Sequence, residues 1–467
     1  MAKTATKHTL RFQPTRSGPN TYRWLLWIVL ILAGIWLILS LNRGEVTSPF
    51  APTPTPTRAA QSYILEAQAY FQAGKLDDPN SENDAIDTYR KAVIVDPENV
   101  VVLAELARIQ TYSSSLLNTD QERLKRLEEA RDNINRAVEI DPDNSTVQAV
   151  RAFVLDWNAS SNLISSDQRE AYLIEAESAA NKAYLLDPEN ALALAFYAEV
   201  LMDQQKWDQA LEYAEQAVNR APGSMDAHRV YGTVLESNGL YNAAIDEYIK
   251  ASDISPNLTF LLMNIGLGYR NLANRAQTES QARALYDNAL FYFDRAANIN
   301  KQLGVKDPNP YIAIAKTYTQ QGEFFIASRN AETALVYSPT SPDTYGQLGM
   351  IYVQARNYES ALPALRCAVE GCTADENQTA IEFMEQGLLE QSYAVAPLEL
   401  TNLNVAYYYI RYGSVLAYLS DQENQYCAKS LALMGRLRAI YGEDTLLMDN
   451  VAEVEGTCAF LTNTPNP

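Results

Sequence analysis

Pro188, Pro222 and Pro256 follow one another at intervals of 34 residues. Asp187 and Ser255 precede the first and last of them, and earlier copies read Asp96-Pro97-Glu98-Asn99 and Asp141-Pro142-Asp143-Asn144. Proline lacks the amide hydrogen, and its ring meets the carbonyl one turn back. It therefore closes one helix and opens the next segment. A period of this length leaves room for two helices and a turn, and such a hairpin cannot hide its apolar side alone. The spacing predicts an all-α stack of hairpins, a solenoid with a long curved surface and no single deep cleft. The 467 residues and 47% hydrophobic content suit a continuous stacked core.

The unit 225–257 shows the local logic. A first helix carries Tyr231, Gly232 and Leu235, and Asn238-Gly239 forms a turn. A second helix carries Tyr241, Ala244, Tyr248 and Ala251, and Pro256 ends it. The small side chains let helix backbones approach, the large ones fill the gaps, and Gly239 suits a left-handed cap. These residues resemble the tetratricopeptide repeat family. The preceding unit matches with Leu194, Tyr197, Ala198, Leu201, Trp207, Ala210, Ala217 and Pro222. Further copies place Ile265, Gly266 and Tyr269 with Ala289, Phe293 and Ala296. Another sets Ala315, Tyr318 and Gly322 with Phe324, Ala327, Ala334 and Pro339. The copy after it has Tyr345, Leu348, Gly349 and Tyr352 with Tyr358, Ala361 and Ala368.

The resemblance implies a tetratricopeptide-repeat superhelix of about nine helix pairs over 59–372 and 400–461, closed by a C-terminal capping helix. The units Pro97–Pro142 and Pro142–Pro188 are longer than the rest. Their extra residues are expected in loops near 113–121 and 159–168. Residues 373–399 read as an irregular insertion, extended around Tyr393–Pro397 and able to interrupt the superhelix. Residues 462–467 read as a disordered tail.

In this family the first helix of each pair lines a groove that takes peptides or helices of other proteins. By that resemblance the groove candidates are Arg229, Thr233, Glu236, Phe260, Met263, Leu267, Arg270, Ile312, Lys316, Met350 and Gln354. Phe260, Met263 and Leu267 make an apolar strip flanked by Arg229, Arg270 and Lys316, which suits a peptide with hydrophobic anchors and a carboxylate. The alternative is that the strip packs inside the superhelix. The expected function is a non-catalytic scaffold for protein partners. The other readings are an accessory or regulatory subunit of an envelope enzyme system, for example in glycan or cell-wall assembly, and a secreted binding module.

Residues 24–41, WLLWIVLILAGIWLILSL, hold no charge. As a helix they rise about 27 Å, close to the hydrocarbon thickness of a bilayer. Tyr22, Trp24 and Trp27 gather at one end, where amphipathic rings favour the headgroup level. A cleaved signal peptide would have a shorter core and a small-residue cleavage site, and Asn42-Arg43-Gly44-Glu45 offers a poor one. A retained single-pass transmembrane helix is therefore expected. Residues 1–44 contain no Asp or Glu, and Lys3, Lys7, Arg11, Arg16 and Arg23 precede the apolar run. Residues 1–23 then form a basic cytoplasmic tail, and the repeats lie on the extracytoplasmic side of the cell membrane. Residues 42–58 read as a Pro/Thr-rich linker, extended by its prolines.

All 57 acidic residues lie from Glu45 onward, and the net charge is −20. So acidic a surface repels phosphate backbones, and no nucleic-acid partner is expected. Cys427 and Cys458 are expected to face each other across a terminal antiparallel hairpin, and Cys367 and Cys372 to close a small ring. Buried free thiols are the alternative. No metal is expected, because CxxC spacing and nearby His are both lacking. The chain has two His, His8 and His228, the latter at a packing position. No phosphate loop, HExxH helix or GxGxxG turn is present. No catalytic residue and no cofactor are expected.

Overall fold

The computed structural model describes residues 21–42, 58–78, 82–117, 120–161, 163–382, 391–400, 402–421 and 425–463. The basic tail up to residue 20, most of the Pro/Thr-rich linker and the last four residues lie outside them. The chain divides into two compact units, Met1–Arg58 and Ala59–Pro467. In the first, α1 (Thr21–Asn42) covers the apolar run and begins three residues before it. Its described apolar side chains, Trp24 and Trp27 among them, are exposed. Counted over described side chains alone, no helix is long and apolar enough to cross a membrane.

In the second unit nine hairpins follow one another among the described residues. They pair α2 (Ala60–Gln72) with α3 (Ala85–Val95), α4 (Val100–Ser114) with α5 (Asp120–Ile140), and α6 (Ser145–Ala159) with α7 (Ser166–Leu186). Next come α8 (Ala191–Asp203) with α9 (Trp207–Arg220), α10 (Met225–Ser237) with α11 (Tyr241–Ile254), and α12 (Thr259–Asn274) with α13 (Glu279–Leu303). The series continues with α14 (Asn309–Gln320) and α15 (Phe324–Tyr337), then α16 (Pro342–Gln354) and α17 (Tyr358–Val369). After α18 (Ala374–Glu382) come α19 (Leu403–Tyr418) and α20 (Cys427–Tyr441), and α21 (Thr445–Asn463) closes the array.

The recurring Asp-Pro-x-Asn segment now has a physical reason. Asn99 and Asn144 are N-caps: each side chain accepts the amide of the third residue on, satisfying a donor that the helix itself cannot. Each also donates its Nδ2 to the Asp three residues earlier, at 3.0 and 3.2 Å. Pro97 and Pro142 stand between cap and helix end, where no amide is missed. Gly239 takes φ +76°, as its turn requires, while Gln205 and Arg356 adopt the same left-handed backbone at φ 61° and 58°.

Close helix contact rests on glycine. A Cβ on Gly266 would stand 2.4 Å from the Phe293 ring, and one on Gly232 would stand 2.7 Å from Tyr248. In these two hairpins the second helix thus drives an aromatic ring onto bare backbone of the first.

The structure corrects two expectations. The extra residues of the long units do not form long loops. They lengthen α5 and α7 to 21 residues each, against 14 in α9 and α11. The cause is local. Ser165 and Gln168 form a reciprocal capping box that starts α7 within the expected loop. Residues 120–132 are rich in Glu, Arg and Lys, good helix formers. Nor does the insertion at 373–399 interrupt the stack. It opens with α18, and then Val395 and Cys372 exchange backbone hydrogen bonds at 2.8 and 2.9 Å. Leu398 donates to the Ala368 carbonyl at 2.9 Å, so the extended segment is tied back to α17. Helix α19 packs on α16 and α17 as the next first helix would.

Both cysteine pairs are bonded, Cys367–Cys372 with S–S 2.12 Å and Cys427–Cys458 with S–S 2.13 Å. The second joins α20 to α21, which are antiparallel neighbours as expected.

First helices touch first helices in series from α4 to α10, and again, less closely, from α12 through α14 and α16 to α19. Second helices touch their own partners and the adjacent first helices, but hardly one another. In a curved double layer the crowded layer is the inner one. The first helices therefore line the concave side.

Candidate interaction site on the inner layer

The inner face of α4, α6, α8 and α10 is not an open groove. Arg108 on α4 reaches Asp226 on α10 with both oxygens in range, at 2.9 and 3.2 Å. Tyr112, one turn on, donates its hydroxyl to the same Asp226 and receives Arg229 Nε at 3.0 Å. Arg229 on α10 makes a bidentate pair with Glu199 on α8, at 2.8 and 2.6 Å. Trp157 on α6 adds its indole N–H to Glu199 at 3.3 Å. The Tyr112 ring stacks on Phe260 of α12 at 5.1 Å. Phe153 stacks on Phe196 at 4.5 Å, and the Arg229 guanidinium lies 5.4 Å from the centres of both the Tyr112 and Phe153 rings. Five helices meet at this node. The superhelical turn also closes at its edge: a Cβ on Gly74, in the α2–α3 turn, would stand 2.5 Å from the Asn257 carbonyl between α11 and α12.

Burial works against the charge of Arg229, but Glu199, with Tyr112 and Asp226, outweighs it and holds the guanidinium above its ordinary value. Asp226 and Glu105 together do the same for Arg108.

Arg229 is 4% exposed. The sequence offers it as a groove residue, but here it is a strut between α8, α10 and α4. Phe260 is half-buried against Tyr112, so the alternative of internal packing holds at this end of the strip. Met263 and Leu267 pack against the cluster of Leu290, Phe293, Ala313 and Ile314. Met263 also packs on the cluster of Tyr248, Leu262 and Ile265, so the three residues are shared among three cores. Arg270 lies over the Phe293 ring at 5.8 Å, and burial lowers its guanidinium. Ile312 and Met350 are half-buried on α14 and α16. Lys316 is open to solvent yet flanked by protein on a concave wall, so desolvation lowers its ammonium, with Asp343 acting against that. These later positions form the open part of the inner layer.

His228 is buried and holds Glu247 at 2.6 Å through Nδ1 and the Pro222 carbonyl at 2.9 Å through Nε2. Its bond to Glu247 raises its pKa.

Sequence reading missed a cavity of about 360 Å³ beside the node. Asp156, Trp157, Glu199, Asp203, Arg229 and Phe260 line it. Asp156, on α6, is 2% exposed, and its Oδ1 has no hydrogen-bond partner. Burial raises its pKa first, and the neighbouring Asp203 and Glu199 raise it further. Asp203 stands at the exposed end of α8, and the concave surroundings push its pKa up to about 6, Glu199 adding to the effect. One available signal was the acidic residue Asp156, set among apolar neighbours of an otherwise core-facing helix.

Comparison with known proteins fits this architecture. Models of the tetratricopeptide repeat match residues 121–144 and 197–258. The Photosystem I assembly protein Ycf3 of Synechococcus sp. (strain CC9311) is 30% identical over 118 residues, 25% of this chain and 62% of that protein. The chain therefore spans less than two thirds of that relative's length. The human IFIT1 dimer with m7Gppp-AAAA is 16% identical, with TM-score 0.50 over 91% of this chain and 93% of its own. A thermophilic TPR protein of Thermus thermophilus, TTC0263, is 18% identical over 45% of this chain and 98% of its own, with TM-score 0.36. At 16% identity the IFIT1 structure speaks to fold alone. The chain carries tetratricopeptide repeats, set in an all-α helical solenoid.

Proposed function

We propose that this protein is a membrane-tethered, non-catalytic scaffold whose inner layer receives segments of other proteins. The observation that carries the reading is the open stretch of first helices α12, α14 and α16. There Ile312 and Met350 are half-buried, and Ile312 stands one helical turn before the exposed Lys316 on α14. Apolar anchors with a charge at their rim are what a peptide-binding wall requires. The tetratricopeptide repeats support a role in protein–protein contact. The assembly role in the name of the Synechococcus relative points the same way. The acidic balance of the chain argues for protein over nucleic acid as the partner.

The tether is α1. Its 22 residues rise about 33 Å, the thickness of a bilayer core. Its exposed Trp, Leu and Ile side chains would be covered by lipid. The basic flank sets its N-terminus in the cytoplasm and the solenoid across the membrane.

The test is capture from detergent-solubilised membranes by the full chain, compared with Lys316→Glu and Met350→Asp. Loss of the same partners from both variants is expected. Unchanged capture by both would refute the inner-layer reading.

A further inference from the structure

The cavity beside the node has a charge of its own to satisfy. Arg229 faces it, but both oxygens of Glu199 already hold that guanidinium. Among the described residues that line the cavity, Arg229 is the only basic one. Asp156, on the floor, is 2% exposed, no N–H donor reaches its Oδ1, and its carboxyl faces that of Asp203, so the site offers more acceptors than donors. Asp203 stands at the mouth. Trp157 and Phe260 contribute aromatic surface, and Thr233 and Asn264 contribute further polar groups. The volume, about 360 Å³, is at the lower end for ligand pockets and fits one long side chain, not a folded element. Among the described residues no three His, Cys, Asp or Glu side chains are grouped to hold a metal ion.

We propose that this cavity receives an organic cation, the guanidinium or ammonium of an arginine or lysine side chain presented by a protein partner. Asp156 and Asp203 take the charge, and the faces of Trp157 and Phe260 line its path. The proposal rests on the scaffold reading and deepens it by naming the chemistry of one anchor. It also reverses the charge expected from sequence, which had a partner carboxylate meeting basic flanks.

The site carries a distinctive coupling. Asp156 faces Glu199 and Asp203 from α8 and Arg229 from α10, while Tyr112 of α4 is engaged by Asp226 and Arg229. With both carboxyls raised, the pair retains a proton in mildly acid solution, and an entering cation expels it. Binding therefore strengthens as pH rises through about 6.

The experiment is calorimetric titration of the full chain in detergent micelles. The probes are N-acetyl-argininamide, its uncharged analogue N-acetyl-citrullinamide, and spermidine. The arginine probe is expected to bind with Kd of about 1 mM at pH 8, the order reached by a ligand of this size. Binding should weaken about tenfold or more for the citrulline probe, for Asp156→Asn, for Asp203→Asn and at pH 5. At pH 6 the heats should differ between buffers in the way proton release requires. Asp203→Asn alters an exposed position and tests the idea even if Asp156→Asn unfolds. Equal affinity for the charged and uncharged probes, no saturable binding of the arginine probe, or full affinity in a folded Asp203→Asn variant overturns the proposal. Tighter binding of spermidine than of the arginine probe overturns the assignment to a partner side chain. Partners captured through Lys316 and Met350 by a chain whose cavity ignores the probes would leave the scaffold standing and end this proposal alone.

Discussion

Replacing Arg229 with Met should damage the inner node far more than loss of one surface charge would. The methionine keeps most of the volume and removes the guanidinium. Glu199 is 5% exposed and would be left with the Trp157 indole at 3.3 Å as its remaining bond. Breaking a buried pair from one side costs about 3–5 kcal/mol, chiefly through the charge left behind. A surface ion pair would cost under about 1 kcal/mol. Adding Glu199→Leu removes the stranded charge, and the double variant should recover most of the loss. Repeat arrays open locally, so the direct assay is amide hydrogen exchange resolved to α8 and α10. A loss of this size lowers protection between about a hundredfold and a few thousandfold wherever opening breaks the pair. Protection in α8 and α10 within threefold of the parent, or a double variant as damaged as the sum of its parts, would refute the reasoning.

Three further outcomes follow from the packing. Gly266→Ala sets a methyl 2.4 Å from the Phe293 ring, so the midpoint of thermal unfolding should fall by the equivalent of about 1–3 kcal/mol. The His228–Glu247 bond raises the His pKa, so its stabilisation is complete below the unfolded value near 6.5 and fades as pH rises through the folded one. Burial favours a neutral Glu247, but His228 and Lys250 win and lower it, so its share is present above about 4.5 and fades as pH falls below that. Glu247→Gln should therefore cost more in denaturant midpoint at pH 6 than at pH 9. Cys427 and Cys458 lie 31 residues apart, a loop whose closure is worth roughly 3.5–4 kcal/mol by the chain-entropy account. Reduction should raise hydrogen exchange in α20 and α21 while leaving α8 and α10 unchanged.

The sequence disclosed the hairpins because their signals are local. A proline, a capping Asn and a glycine under an aromatic ring all act within one repeat, and each can be read from neighbours a few residues away. The cysteine pairings were legible for the same reason: a turn at Gly442 brings Cys427 and Cys458 level. The inner node was not legible. Arg229 meets Glu199, 30 residues earlier, and Tyr112, 117 residues earlier. The second contact exists only because the superhelix turns tightly enough to bring α4 against α10. Periodicity reports which face of a helix is inward, but not whether the opposite wall is near enough to touch. The same distance hid the cavity, since Asp156 and Asp203 lie on different hairpins. The length of α5 and α7 is hidden in the sequence because polar residues between apolar segments resemble loops, whereas capping and helix propensity carry the backbone on.

If the solenoid is a scaffold, its inner layer should be the working surface and its outer layer should not. Site-specific photo-crosslinking in living cells tests it most directly, with the crosslinking residue placed at Lys316 or Met350 on the inner wall and at Phe291 or Phe325 on the exposed outer helices. Discrete protein adducts are expected from the inner pair and none of the same adducts from the outer pair. Adducts from the outer pair with a silent inner wall would contradict that expectation.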